Sequence, residues 1–158
     1  MNALETAVSG KSKAQLDGAT TRWVSFELAG QQYAVSILKV FEVLSHADIE
    51  PVPQAPRAVV GVINLRGSIV TVLDLRAWLG FAASTVNPCI IIINHENQAI
   101  GICVDRIIEV LNISNDAIKP APGSAAQHVA GLVSQNGELL TLLELSDLFA
   151  GESAPQVH

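Results

Sequence analysis

The residues able to do chemistry are few, and their spacing seldom lets two of them act together. Ser9-Gly10-Lys11-Ser12 has the ending of a phosphate-binding loop. Such a loop needs a strand ahead of it and a further glycine, and Glu5 occupies that glycine's place. His46, His95, His128 and His158 stand singly in predicted loops or at the terminus, none with a second ligand at metal-site spacing. Cys89 and Cys103 are too few and too far apart for a disulfide framework or a paired-cysteine metal site, and read as small apolar core residues. No nucleophile elbow, dinucleotide fingerprint or zinc-protease motif occurs. Asn112-Ile113-Ser114 fits a glycosylation sequon, which carries no weight in a cytoplasmic chain. The reading is of a non-enzyme with no catalytic residue, metal or cofactor.

One charged constellation remains. Arg66 tops a predicted hairpin otherwise rich in Val, Ile and Leu, within Asn64-Leu65-Arg66-Gly67. Glu42 is the lone charge in Val40-Phe41-Glu42-Val43-Leu44. Opposite charges amid so much apolar surface are expected to pair. The arginine's planar fork would keep donors free for a partner's carboxylate.

The composition narrows the partners. Net charge is −6 and the pI about 5.0, which opposes nucleic acid and anionic membrane surfaces. Aromatics are scarce, with four Phe, two Trp and one Tyr, too few for base-stacking platforms. Hydrophobic residues make up 49% of the chain and charged ones 15%, which predicts many buried strands or apolar faces covered by partners. No apolar run reaches membrane-spanning length, and the N-terminus lacks the apolar stretch of a signal peptide. A cytoplasmic protein without direct membrane insertion is expected. Residues 1–21 read as a disordered tail and 151–158 as a flexible one.

The elements that must position these residues come as a repeat. GVINLRGSIVTVLDLRAWL (61–79) aligns with GLVSQNGELLTLLELSDLF (131–149), and KVFEVL (39–44) with RIIEVL (106–111). Gly61 matches Gly131, Gly67 matches Gly137, and Asp74 matches Glu144. Equivalent placement gives the two acids a repeated structural role rather than that of a catalytic pair.

Each half reads as the same strands. Val24 to Leu28 alternates, Ala29-Gly30-Gln31 turns, and Tyr33 to Val35 returns. In the second half Cys89 to Ile93 is continuously apolar, Asn94 to Asn97 turns, and Ala99 to Val104 returns. Such a run is a strand covered on both sides, or one with a face toward a partner. Arg66-Gly67 and Asn136-Gly137 supply the turns of two later hairpins. Short helical pieces are expected after Leu75 and Leu145, with Ser146 as N-cap of the latter. The predicted fold is mainly β: two tandem five-stranded barrels with short helical segments. Their expected limits are about 22–84 and 85–150, the crossing lying near 80–88. The Pro-rich stretches 45–58 and 112–127 are equivalent connections inside the halves.

RWVSFELAGQQYAVSILKVFEVL, PVPQAPRAVVGVINLRGSIVTVLDLR, AIGICVDRIIEVL and IKPAP together resemble the CheW family, over residues 22–150. The most specific part is NLRG followed by the alternating strand that ends in DLR. The resemblance implies two Src-homology-3-like barrels side by side in a free-standing scaffold. It implies as partners the cytoplasmic tip of chemoreceptors and the regulatory domain of the histidine kinase CheA, with self-association in extended arrays. A related chemosensory system controlling pili or a second messenger is the alternative, and an enzyme with an unrecognised site the remote one. By the same resemblance Ile37, Val40, Glu42, Gly61, Arg66, Gly67, Ile100 and Gly101 are the candidate interaction residues. Val40, Ile100 and Gly101 would lie along a receptor-facing groove between the barrels, and Ile37 on an apolar face toward the kinase. The chain departs from the family pattern at Gly123-Ser124, where some members place an aromatic.

Overall fold

Two-residue turns organise the strands. Hairpins close at Ala29-Gly30, Arg66-Gly67, Glu96-Asn97 and Asn136-Gly137, and every one of these residues has positive φ. That conformation matches the twist of the paired strands, which is why glycine or asparagine recurs in the turns. The computed structural model describes residues 19–82, 88–123 and 128–147. Among them the strands are β1 (Thr20–Leu28), β2 (Gln31–Ser36), β3 (Val40–Leu44), β4 (Val59–Leu65), β5 (Ser68–Asp74), β6 (Cys89–His95), β7 (Gln98–Val104), β8 (Arg106–Ser114), β9 (Val129–Gln135) and β10 (Glu138–Leu143). Helix α1 (Leu75–Leu79) follows β5, and single 3-10 turns lie at Ile37–Lys39, Asn115–Ala117 and Leu145–Asp147. Both expected tails and Ser124 fall outside the described residues, apart from Ala19 and the strand-forming Thr20 and Thr21.

The strands form two five-stranded sheets, in the orders β8-β1-β2-β10-β9 and β3-β6-β7-β5-β4. Exchanging β1 to β5 with β6 to β10 turns one order into the other, so the sequence repeat is also a repeat of architecture. The expected division at 80–88 is corrected, however. The second sheet is built from the continuous segment between Val40 and Val104, while the first takes strands from both ends of the chain. The chain enters the second sheet through the 3-10 turn Ile37–Lys39 and leaves it at Asp105. The cause is hydrogen bonding between repeats. Hairpin β1–β2 pairs with β8 and β10 of the other repeat, and hairpin β6–β7 pairs with β3 and β5.

This arrangement explains the continuous apolar runs. Ile90 and Ile92 point into the second barrel with Ile63, Val70, Val72 and Cys103. Ile91 and Ile93, on the opposite face, join Ile100 and Ile102 against Val24, Phe26, Leu28, Tyr33 and Val35 of the first sheet. A third cluster around Trp23, Ala34, Ile113, Val133, Leu140 and Leu142 fills the first barrel. Strands β6 and β7 are therefore covered on both faces by the protein itself.

The repeated residues do repeated work. Glu50 exchanges two backbone hydrogen bonds with Val62, each 2.8 Å, and Lys119 does the same with Leu132 at 2.8 and 2.7 Å. Gly61 and Gly131 precede these pairs. A Cβ on Gly61 would overlap the Glu50 carbonyl oxygen, and one on Gly131 would overlap Ile118 Cγ2. Asp74 accepts from the Arg76 backbone N–H at 3.0 Å, and Glu144 from the Ser146 N–H at 3.1 Å. Glu144, not Ser146 as expected, thus caps the second helical turn: its position is the one equivalent to Asp74, the N-cap of α1.

Candidate interaction surface

Ser36 starts the surface. Its Oγ accepts from the Leu38 N–H at 3.2 Å, which holds the 3-10 turn Ile37–Lys39. The turn aims Leu38 outward, 87% exposed. Strand β3 follows with a β-bulge. Val40 lies opposite Ile93 and Glu42 opposite Ile92, so Phe41 is the extra residue and is pushed outward, 66% exposed. Val43 is exposed beside it. A shallow hollow lined by Phe41, Ile93, Asn94, Asn97 and Ala99 opens at this edge.

The β4–β5 hairpin brings up the other side. Asn64 Oδ1 accepts from the Gly67 N–H at 2.8 Å, which fixes the apex. Arg66 Nη2 then donates to Glu42 Oε2 at 2.7 Å. Strands β3 and β4 are the two edges of the second sheet, so this ion pair ties its edges together at one mouth of the barrel. The Arg66 side chain is 66% exposed and that of Glu42 22%, so the carboxylate is the anchored member. The hydrogen bond that Arg66 donates to Glu42 holds the guanidinium's pKa above its ordinary value. Its remaining donors have no partner among the described residues. Ile69 is exposed just past the apex. The arrangement offers an oriented cation, a half-sheltered carboxylate and an apolar fringe. Among the described residues no cluster of His, Cys, Asp or Glu could hold a metal.

The structure brings Glu42, Arg66 and Gly67 together. Ile37 and Val40 lie half-buried on the adjoining edge, packed against the core between the sheets. Gly61 is buried against Glu50. The expectation that Val40, Ile100 and Gly101 line an open groove is corrected, because Val40 and Ile100 pack in the core between the sheets and Gly101 faces the core inside the second barrel. Ile100 is 1% exposed. A Cβ on Gly101 would meet Ile90 Cγ2 at 3.0 Å and Val72 Cγ2 at 3.2 Å. Both residues are buried.

Sequence reasoning missed a second ion pair. Arg76 Nε and Nη2 donate to Asp105 Oδ1 and Oδ2 at 2.9 and 2.7 Å, and the Ala29 N–H donates to the same Oδ2 at 2.9 Å. Arg76 Nη1 also donates to the Ala82 carbonyl at 2.8 Å. Asp105 therefore links α1, the point where the chain leaves the second sheet, and the β1–β2 turn of the first. The Arg76 hydrogen bonds hold the Asp105 carboxyl below the usual carboxylate range. The only signal in the sequence was a lone acid closing the apolar run Ala99 to Val104.

A larger groove on the first sheet includes Glu27, Gln32, Arg106, Glu138 and Leu139. Its charged groups are engaged: Arg106 with Glu27 at 2.7 Å, and Glu138 with Gln32 at 2.6 Å. It presents less unengaged chemistry than the Arg66 edge.

The model of the CheW-like domain matches residues 22–153. "Chemotaxis protein CheW" of Rhizobium meliloti is 32% identical, covering 82% of this chain and 87% of that protein. The protein of the same name from Klebsiella aerogenes is 32% identical over 80% of each. "Protein FrzA" of Myxococcus xanthus is 28% identical over 78% of this chain and 81% of its own. The crystal structure of the scaffolding protein TtCheW from Thermoanaerobacter tengcongensis superposes with a TM-score of 0.77 at 30% identity, covering 82% of this chain and 92% of that one.

Proposed function

The chain belongs to the CheW family, and from that premise we propose that it is a non-catalytic cytoplasmic adaptor joining the cytoplasmic tip of chemoreceptors to the regulatory domain of the histidine kinase CheA. The observation that carries the reading is the Glu42–Arg66 pair set among exposed Leu38, Phe41, Val43 and Ile69. Arginine and aromatic anchors surrounded by apolar contacts are what protein interfaces concentrate. A cation already held by one carboxylate approaches a partner with its fork oriented, so less side-chain freedom is lost on binding.

Arg66 and Gly67 are the apex contacts and Glu42 orients them. Ile37 and Val40 form the adjoining apolar edge, Ile37 on the side turned to the kinase. Gly61, Ile100 and Gly101 act through packing beneath. The binding test is retention of the purified protein by immobilised CheA regulatory domain and by a receptor-tip fragment. Retention by both supports the adaptor. Retention by neither overturns it.

A further inference from the structure

We infer that Asn136 is a site of spontaneous covalent modification, at which the folded protein converts asparagine to aspartate and isoaspartate through a cyclic imide. Three observations converge on it. Asn136 is the only asparagine in the chain that is followed by glycine. It stands exposed at the apex of the β9–β10 hairpin, with φ 54° and Gly137 at φ 82°. Glycine at the next position leaves its backbone nitrogen uncrowded by a side chain.

The third observation separates this apex from its twin in the other repeat. There the Gly67 N–H is engaged, donating to Asn64 Oδ1 at 2.8 Å. The residue equivalent to Asn64 is Ser134, and among the described residues the Gly137 N–H has no such partner. Three other asparagines are less favourably placed. The nitrogen after Asn115 belongs to Asp116 and donates to Ser114 Oγ at 3.3 Å. Asn94 and Asn112 are followed by bulky residues within strands β6 and β8.

The chemistry needs only base and water. Base removes the proton from the Gly137 nitrogen, which attacks the Asn136 side-chain carbonyl carbon. A carbon–nitrogen bond forms, the amide carbon–nitrogen bond breaks, and ammonia leaves. Water then opens the five-membered ring at either carbonyl. One opening gives aspartate. The other gives isoaspartate, with the main chain rerouted through the former side chain. Nothing is oxidised or reduced.

The site matters because of its counterpart in the other repeat. Asn136 is equivalent to Arg66, and Glu109 to Glu42. Where the second barrel has an ion pair, the modified first barrel would carry two like charges. Isoaspartate also lengthens the main chain inside a two-residue turn that sets the Gln135–Glu138 register and, beyond it, the β10–β2 pairing.

The test incubates the folded full-length protein at mildly alkaline pH and maps its peptides by mass spectrometry. Isoaspartate is counted separately by methyl transfer from labelled S-adenosylmethionine with an isoaspartyl methyltransferase. We expect modification concentrated in the peptide holding Asn136, and none there in Asn136→Gln. Ser134→Asn restores the hydrogen-bond acceptor found at Asn64 and should slow the reaction several-fold. A folded protein that stays unmodified while the urea-unfolded chain reacts at Asn136 would overturn the inference. So would an unchanged rate in Ser134→Asn.

Discussion

Asp105 holds Arg76 through two hydrogen bonds, 2.9 and 2.7 Å long, and takes a third from the Ala29 backbone at the turn of the other sheet. One carboxylate thus ties together elements drawn from both barrels at the point where the chain passes between them. The link is partly shielded, the Asp105 side chain being 17% exposed.

Asp105→Asn keeps the shape and removes the charge. The geometry predicts a loss of about 1–3 kcal/mol, the cost of weakening charged hydrogen bonds at a partly buried site. Because the folded carboxyl sits below its ordinary value, its stabilisation is present above the unfolded pKa of about 4 and is lost as pH falls through the folded value. Urea midpoints of wild type and variant should therefore converge on acidification below that range. A constant gap down to strongly acid pH would count against the pair.

Gly61 and Gly131 separate packing from contact. Gly61→Ala drives a Cβ into the backbone carbonyl of Glu50, which has no freedom to move aside. Gly131→Ala meets the Ile118 side chain, which can shift, as well as Lys119 O at 3.1 Å. The first should cost about 1–3 kcal/mol and the second less. Thermal unfolding of the two variants decides the order. If Gly61→Ala kept full stability and lost binding, Gly61 would have to be a contact residue after all.

Cys103 should be inert in the folded protein. Burial pushes its thiol up to about 12, so almost no thiolate exists near neutral pH. It cannot pair with Cys89, because Cys103 packs inside the second barrel and Cys89 against the cluster between the sheets. Alkylation followed by peptide mapping should label Cys103 only after unfolding. Labelling of the native protein at the rate of an exposed thiol would show that the barrel opens readily.

What could be read in the sequence was local or repeated. Turn pairs such as Arg66-Gly67 and Asn136-Gly137 announce hairpins because few residues accept positive φ. The repeat made Gly61 and Gly131, or Asp74 and Glu144, interpretable together. Glu42 and Arg66 stood out because each is a lone charge in apolar surroundings. The sheet membership of the hairpins was not legible. Nothing in Trp23 or Val24 names Leu111 or Val110 as partners, since pairing depends on backbone groups every strand possesses. Arg76 and Asp105 were hidden for a similar reason, being ordinary charges at element ends until the fold joins them. Ile100 was misplaced because an apolar strand reads alike whether a partner or the protein's own core covers it.

The central claim is that the Glu42–Arg66 edge binds partners while contributing little to the fold. The measurement is the dissociation constant for the CheA regulatory domain and for a receptor-tip fragment, taken for wild type, Arg66→Glu, Glu42→Arg and the double swap, alongside their unfolding midpoints. The account predicts near-wild-type midpoints, binding to at least one partner weakened by about tenfold or more in each single reversal, and partial recovery in the double swap. Wild-type binding by both single reversals would contradict it.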